Sequence, residues 1–121
     1  MNDIPYLTRR NQHKIGKAGR ASEQRLTREL HAKSRPASGA MEGAKGDLQV
    51  GRFPIEAKST TQVNMTLKHG WFAKIGKEAR SEAKTPALAI SFINEDGSAK
   101  MDGDWVAVPR YKFEEWLAWQ E

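Results

Sequence analysis

Hydrophobic and polar positions alternate with two different periods along this chain. Between about Lys17 and Ser34, Glu23, Leu26 and Leu30 stand at i, i+3 and i+7, so they share one face of a predicted helix. Arg25 and Arg28 point elsewhere, and Pro36 ends the segment. Upstream, residues 1–16 hold Pro5 and the basic pair Arg9 and Arg10 without a sustained apolar period, which reads as an irregular arm. Downstream, residues 34–46 are small and Gly-rich, a loop long enough to suggest a functional role.

Strand spacing follows. Asp47 to Val50 and Phe53 to Lys58 read as two strands joined tightly at Gly51 and Arg52. In the second, Phe53, Ile55 and Ala57 face one side while Glu56 and Lys58 face the other. After a polar loop at Ser59 to Asn64, a helix ending near Glu82 places Phe72, Ile75 and Ala79 inward, with Gly70 as a weak point. The run Pro86 to Ile93 is nearly all apolar and suits a strand covered on both faces. A turn-rich loop spans Asn94 to Gly103, then a strand from Asp104 to Val108. A closing helix from Arg110 to Trp119 has Phe113, Trp116 and Leu117 as its buried stripe. The order α-β-β-α-β-β-α implies an α/β fold, a mixed central β-sheet flanked by helices. With 121 residues, this amounts to a basic arm at 1–16 and a single domain at 17–121.

Charge sharpens the picture. Residues 1–36 carry nine Lys or Arg against three acids, a net of +6, while residues 37–121 carry eleven against twelve, a net of −1. A basic first third before a nearly neutral body suggests a polyanionic partner, most simply nucleic acid, although a solubilising tail has the same composition. The chain has no cysteine, which excludes disulfides and thiolate metal sites. It has no apolar stretch of membrane-spanning length and no signal-peptide core at its start, so a cytoplasmic location is expected.

Four residues could carry chemistry. Glu56 and Lys58 leave their strand on the same face, with Cα atoms about 6.5 Å apart. If the two strands pair, Asp47 becomes a near neighbour of Glu56. Two close carboxylates repel unless protonated or bridged by a cation. A hard ion such as Mg²⁺ prefers oxygen ligands, polarises phosphate and lowers the pKa of water, and Lys58 beside it could stabilise developing negative charge. Glu23 lies on a core-facing stripe, where an acid is costly unless paired or metal-linked. A salt bridge to Lys58 or an arginine is the plainer explanation.

These residues, with their spacing, resemble the PD-(D/E)xK nuclease superfamily. Gly46–Asp47 is followed by eight intervening residues and then by Glu56–Ala57–Lys58. The helix from Gly19 to Leu30, the small-residue segment Pro36 to Gly39 and the segment Gly46 to Thr60 resemble Holliday-junction resolvases of the archaeal and phage type. The likeness covers the first half of the chain; the second half agrees only in its order of elements. It implies a restriction-endonuclease-like core. It also implies metal binding by Glu23, Asp47, Glu56 and the Ala57 carbonyl, with Lys58 as the catalytic lysine. Ser38 falls where such resolvases carry a serine in a loop near the junction. The residue before Asp47 is Gly rather than Pro, a common variation.

The resulting expectation is an Mg²⁺-dependent endonuclease, with Mn²⁺ able to substitute, acting on branched DNA as a homodimer, because symmetric cutting of a junction needs two active sites. The host would be a bacterial or archaeal cell, or a phage-infected one. Arg9, Arg10, Lys14, Lys17, Arg20 and Arg25 would track phosphates, with Ser38 and Lys68 as further DNA contacts. Lys68, Lys74 and Lys77 read equally well as phosphate contacts and as a solvated helix face. His13, His31 and His69 lack metal-ligand spacing. Trp105, Trp116 and Trp119 are expected to pack the C-terminal core, and Trp71 to pack a core or a dimer rather than stack on a base. No phosphate-cradling loop is present, so no nucleotide cofactor is expected. The competing readings are another nuclease of the superfamily, of repair or restriction type, and a non-catalytic nucleic-acid-binding protein in which Glu56 and Lys58 form a surface pair.

Overall fold

The computed structural model describes residues 5–34 and 47–120, and for residues 5–15 and Asp47 the backbone alone. Helix α1 spans Pro5–Glu29 and the two-residue strand β1 spans Lys33–Ser34. Strands β2 (Asp47–Val50) and β3 (Phe53–Thr60), helix α2 (His69–Ser81), strands β4 (Ala87–Ile93) and β5 (Ala99–Ala107) and helix α3 (Arg110–Trp119) follow. The five strands form one sheet in the order β1-β2-β3-β4-β5. Only β3 and β4 run parallel, joined through α2; the other pairs are antiparallel. The sheet is therefore mixed and carries helices, as the pattern of the chain implied.

The first helix differs from its expected bounds at both ends. It begins at Pro5, so the segment 5–16 is helical rather than an irregular arm. An apolar stripe marks only the part of a helix that packs; once nucleated there, each further residue adds a hydrogen bond, and proline is tolerated in the first turn. The helix also stops at Glu29 instead of Ser34. His31 takes a left-handed φ of 54°, the Ala32 N–H donates to the Thr27 carbonyl at 2.9 Å and the His31 N–H to the Arg28 carbonyl at 3.3 Å. That is a Schellman ending with histidine where glycine is usual. Helix α2 ends the same way, with Ala83 at φ 56° and Lys84 donating to Ala79 at 2.8 Å.

Two faces of the sheet receive the two long helices. Leu26 of α1 packs with Leu48, Ile55, Ala87 and Ala89, with Leu30, Phe53 and Ala57 against them. By strand alternation Glu56, Lys58, Leu88 and Ile90 lie on the opposite face, in register across β3 and β4. Helix α2 covers that face with Ile75 and Ala79 buried and Phe72 half-buried. An apolar cleft of about 330 Å³ runs between α2, β4, β5 and the start of α3, lined by Phe72, Ile75, Leu88, Ala107 and Tyr111. It contains none of the candidate site residues.

Strand β5 is longer than expected because the loop before it is a tight hairpin turn. The Asn94 N–H donates to the Ser98 carbonyl at 2.8 Å, and Asp96 accepts from the Ser98 N–H at 2.9 Å. Gly97 is required in this turn: φ is 91°, and a Cβ there would lie 2.5 Å from Ala21 Cβ and 2.9 Å from the Ser22 nitrogen of α1.

The C-terminal aromatics overturn the expected burial. Helix α3 has no buried residue, and Trp105, Trp116 and Trp119 are 60%, 37% and 76% exposed. Phe113 and Leu117, assigned to its buried stripe, are also exposed. The stripe exists, but nothing among the described residues buries it. Among the described residues no helix is long and apolar enough to cross a membrane.

Candidate active site

The tight β2–β3 connection fixes where the acids meet. Val50 pairs with Phe53 across Gly51 and Arg52, Gly51 supplying a φ of 57°, so counting outward sets Asp47 directly opposite Glu56. Directly opposed residues in an antiparallel pair project to the same face. The Asp47 side chain lies outside the described residues, so its place is known from the backbone register.

Glu56 is the centre of the site. It is only 7% exposed, on the sheet face that α2 covers and beneath Lys74 of that helix. Lys58 Nζ is 3.3 Å from its Oε2, and Lys74 Nζ, reaching down from α2, is 3.6 Å from its Oε1. The second distance is an ion pair but too long for a hydrogen bond, and Oε1 is buried with no hydrogen-bond partner among the described residues. A buried carboxylate oxygen left in that state is costly, and a site for an unseen cation is one reason to keep it so.

Lys58 is held from its other side. Its ammonium stands 4.6 Å from the centroid of the Trp71 ring, and Lys68 Nζ lies 6.0 Å from the same ring. Trp71 is therefore a half-buried neighbour of the candidate catalytic lysine, neither a core residue nor a free stacking platform.

Glu23 approaches from α1. Burial, and then the negative charge of Glu56, push its carboxyl above the ordinary value of 4.5. Glu56 is thus near enough to act on the Glu23 carboxyl, a repulsion that a shared cation would relieve. Its backbone carbonyl accepts a hydrogen bond from Thr27 Oγ1 at 2.8 Å. Among the described residues, no three His, Cys, Asp or Glu side chains are grouped closely enough to hold a metal ion. Glu23 and Glu56 supply two acids, and the register brings Asp47 as the third. An all-oxygen donor set with an orphaned buried oxygen fits a hard divalent cation.

The expected phosphate contacts divide. Lys17 and Arg20 are exposed on α1, and Lys68 is exposed just before α2. Arg25 is not presented to solvent. Its side chain is 11% exposed, and its guanidinium bonds both carboxylate oxygens of Asp104, at 2.8 and 2.9 Å, and the Gly97 carbonyl at 3.2 Å. It ties α1 to β5 instead of tracking phosphates. The side chains of Arg9, Arg10 and Lys14, and all of Ser38, lie outside the described residues. His31 and His69 are exposed at helix ends. Sequence reading did not place Lys74 beside Glu56; the signal available was the i, i+3, i+7 stripe of Trp71, Lys74 and Glu78 on α2.

No protein-family model, curated protein or solved structure matches this chain.

Proposed function

We propose that this chain is a metal-dependent DNA endonuclease with a restriction-endonuclease-like core, acting on branched DNA in the manner of a Holliday-junction resolvase. The observation that carries the reading is the pairing of Asp47 with Glu56, with Lys58 3.3 Å from the buried Glu56 carboxylate. Glu23, Asp47 and Glu56, with the Ala57 carbonyl, would hold the cation. Bound Mg²⁺, or Mn²⁺ in its place, supplies charge to polarise the scissile phosphate and lower the pKa of an attacking water.

The chain's own residues do the remaining work. The Lys58 ammonium, steadied by the Trp71 ring, offers positive charge and hydrogen-bond donors where negative charge develops on the phosphate. Lys17, Arg20 and Lys68 provide exposed positive charge for the DNA backbone, a contribution that gives affinity and salt dependence rather than sequence choice. Paired cuts across a four-way junction require two such sites, hence a homodimer. The uncovered apolar residues of β5 and α3 are the material for that contact. The cytoplasm of a bacterial, archaeal or phage-infected cell is where such an enzyme would meet its substrate.

Glu56→Gln tests the chemistry. It preserves shape and should abolish Mg²⁺-dependent strand cleavage while leaving DNA binding in place. Full cleavage by this variant would favour the reading in which Glu56, Lys58 and Lys74 are a structural ion-pair cluster.

A further inference from the structure

The two cations beside Glu56 are held differently. Lys58 comes from the same strand and is backed by the Trp71 ring. Lys74 comes from α2, its side chain is 49% exposed, and its ammonium stands between two acids, 3.6 Å from Glu56 Oε1 and 3.9 Å from Glu78 Oε2. The oxygen it faces is the one that accepts no hydrogen bond from the described residues. A half-exposed lysine paired at this distance contributes little to stability. It does, however, balance the charge of a buried carboxylate while leaving that oxygen's lone pairs unused. Glu78, one turn further along α2, gives the ammonium a second anionic partner toward solvent.

Resting on the nuclease reading above, we propose that Lys74 is an internal competitor that sets the metal affinity of the site. It neutralises Glu56 Oε1 in the metal-free chain and withdraws toward Glu78 when a hard divalent cation is held there. The site is thereby kept charge-balanced in both states, and divalent-cation binding is weaker than the acids alone would give.

The test is a Mn²⁺ titration of the full-length protein without DNA, following the free-ion signal by electron paramagnetic resonance. Wild type is compared with Lys74→Met, Lys74→Gln and Lys77→Met, the last removing an exposed charge from the same helix. Both Lys74 variants are expected to bind Mn²⁺ about two- to fivefold more tightly than wild type, the range expected for losing one half-exposed ion pair. Lys77→Met is expected to match wild type. Unchanged or weaker binding in the Lys74 variants overturns the proposal, as does an equal gain in Lys77→Met, which would reduce the effect to net charge. Binding of Mn²⁺ by wild type with no change in the Lys74 variants removes the competitor role and leaves the nuclease reading intact. No Mn²⁺ binding by any of the proteins removes both.

Discussion

Arg25 and Asp104, 79 residues apart, are joined by two charge-assisted hydrogen bonds of 2.8 and 2.9 Å. Ser91 Oγ donates a third bond to Asp104 at 2.7 Å, so one carboxylate fastens α1 to both β4 and β5. Since Glu23 lies half a turn before Arg25, this clamp fixes the height at which α1 delivers its acid to the sheet. Arg25→Met is expected to lower stability by about 1–2 kcal/mol in urea denaturation, a value tempered by the partial exposure of Asp104. The Arg25 hydrogen bond holds Asp104 below its ordinary 3.8. A lowered acid contributes stability above that value and loses it as pH falls through the depressed one. The gap between wild type and variant should therefore close in acid; a gap independent of pH would show that the ion pair is not its source.

Glu23 behaves oppositely. Its folded-state carboxyl is raised above 4.5, so its contribution is fully present below that value and is lost as pH rises through the raised one. Metal-free Glu23→Gln should therefore be more stable than wild type near neutral pH and equal to it below 4.5. Mg²⁺ should raise the melting temperature of wild type more at pH 8 than in mild acid, and should barely move that of the variant. Thermal unfolding with and without Mg²⁺ across this pH range checks both, and an equal Mg²⁺ effect on the two proteins would remove Glu23 from the site.

The uncovered residues of α3 and β5 carry a prediction of assembly. Trp105, Val106, Phe113, Leu117 and Trp119 are all more than a third exposed. Exposed apolar groups this numerous mark an interaction surface. Sedimentation at micromolar concentration should give twice the 13.6 kDa mass of one chain. Trp119→Ser combined with Leu117→Ser should shift the protein toward monomer without loss of helical signal. A monomer at every concentration would assign this face elsewhere.

What the sequence disclosed depended on the range of each interaction. The opposition of Asp47 and Glu56 was legible because a two-residue turn at Gly51 and Arg52 leaves the register no freedom. Ile75 and Ala79 were legible because helical spacing identifies a packed face. The same spacing on α3 assigned Phe113, Trp116 and Leu117 to a buried stripe, and all three are exposed, because spacing groups residues on one face without saying what covers it. Helix ends at His31 and Ala83 were hidden because neither is the glycine that usually marks a left-handed ending. The pairings of Arg25 with Asp104 and of Lys74 with Glu56 join different elements, and no local pattern relates a cation to an acid 79 residues away.

The most direct test of the central claim is cleavage of an end-labelled four-way DNA junction and a matching linear duplex by wild type and Asp47→Ala, with Mg²⁺ or EDTA. The account predicts paired, symmetric cuts in the junction by wild type with Mg²⁺ alone, and none by the variant. Cutting of the duplex as readily as the junction would contradict the branched substrate. Junction binding without any cutting would contradict the nuclease itself.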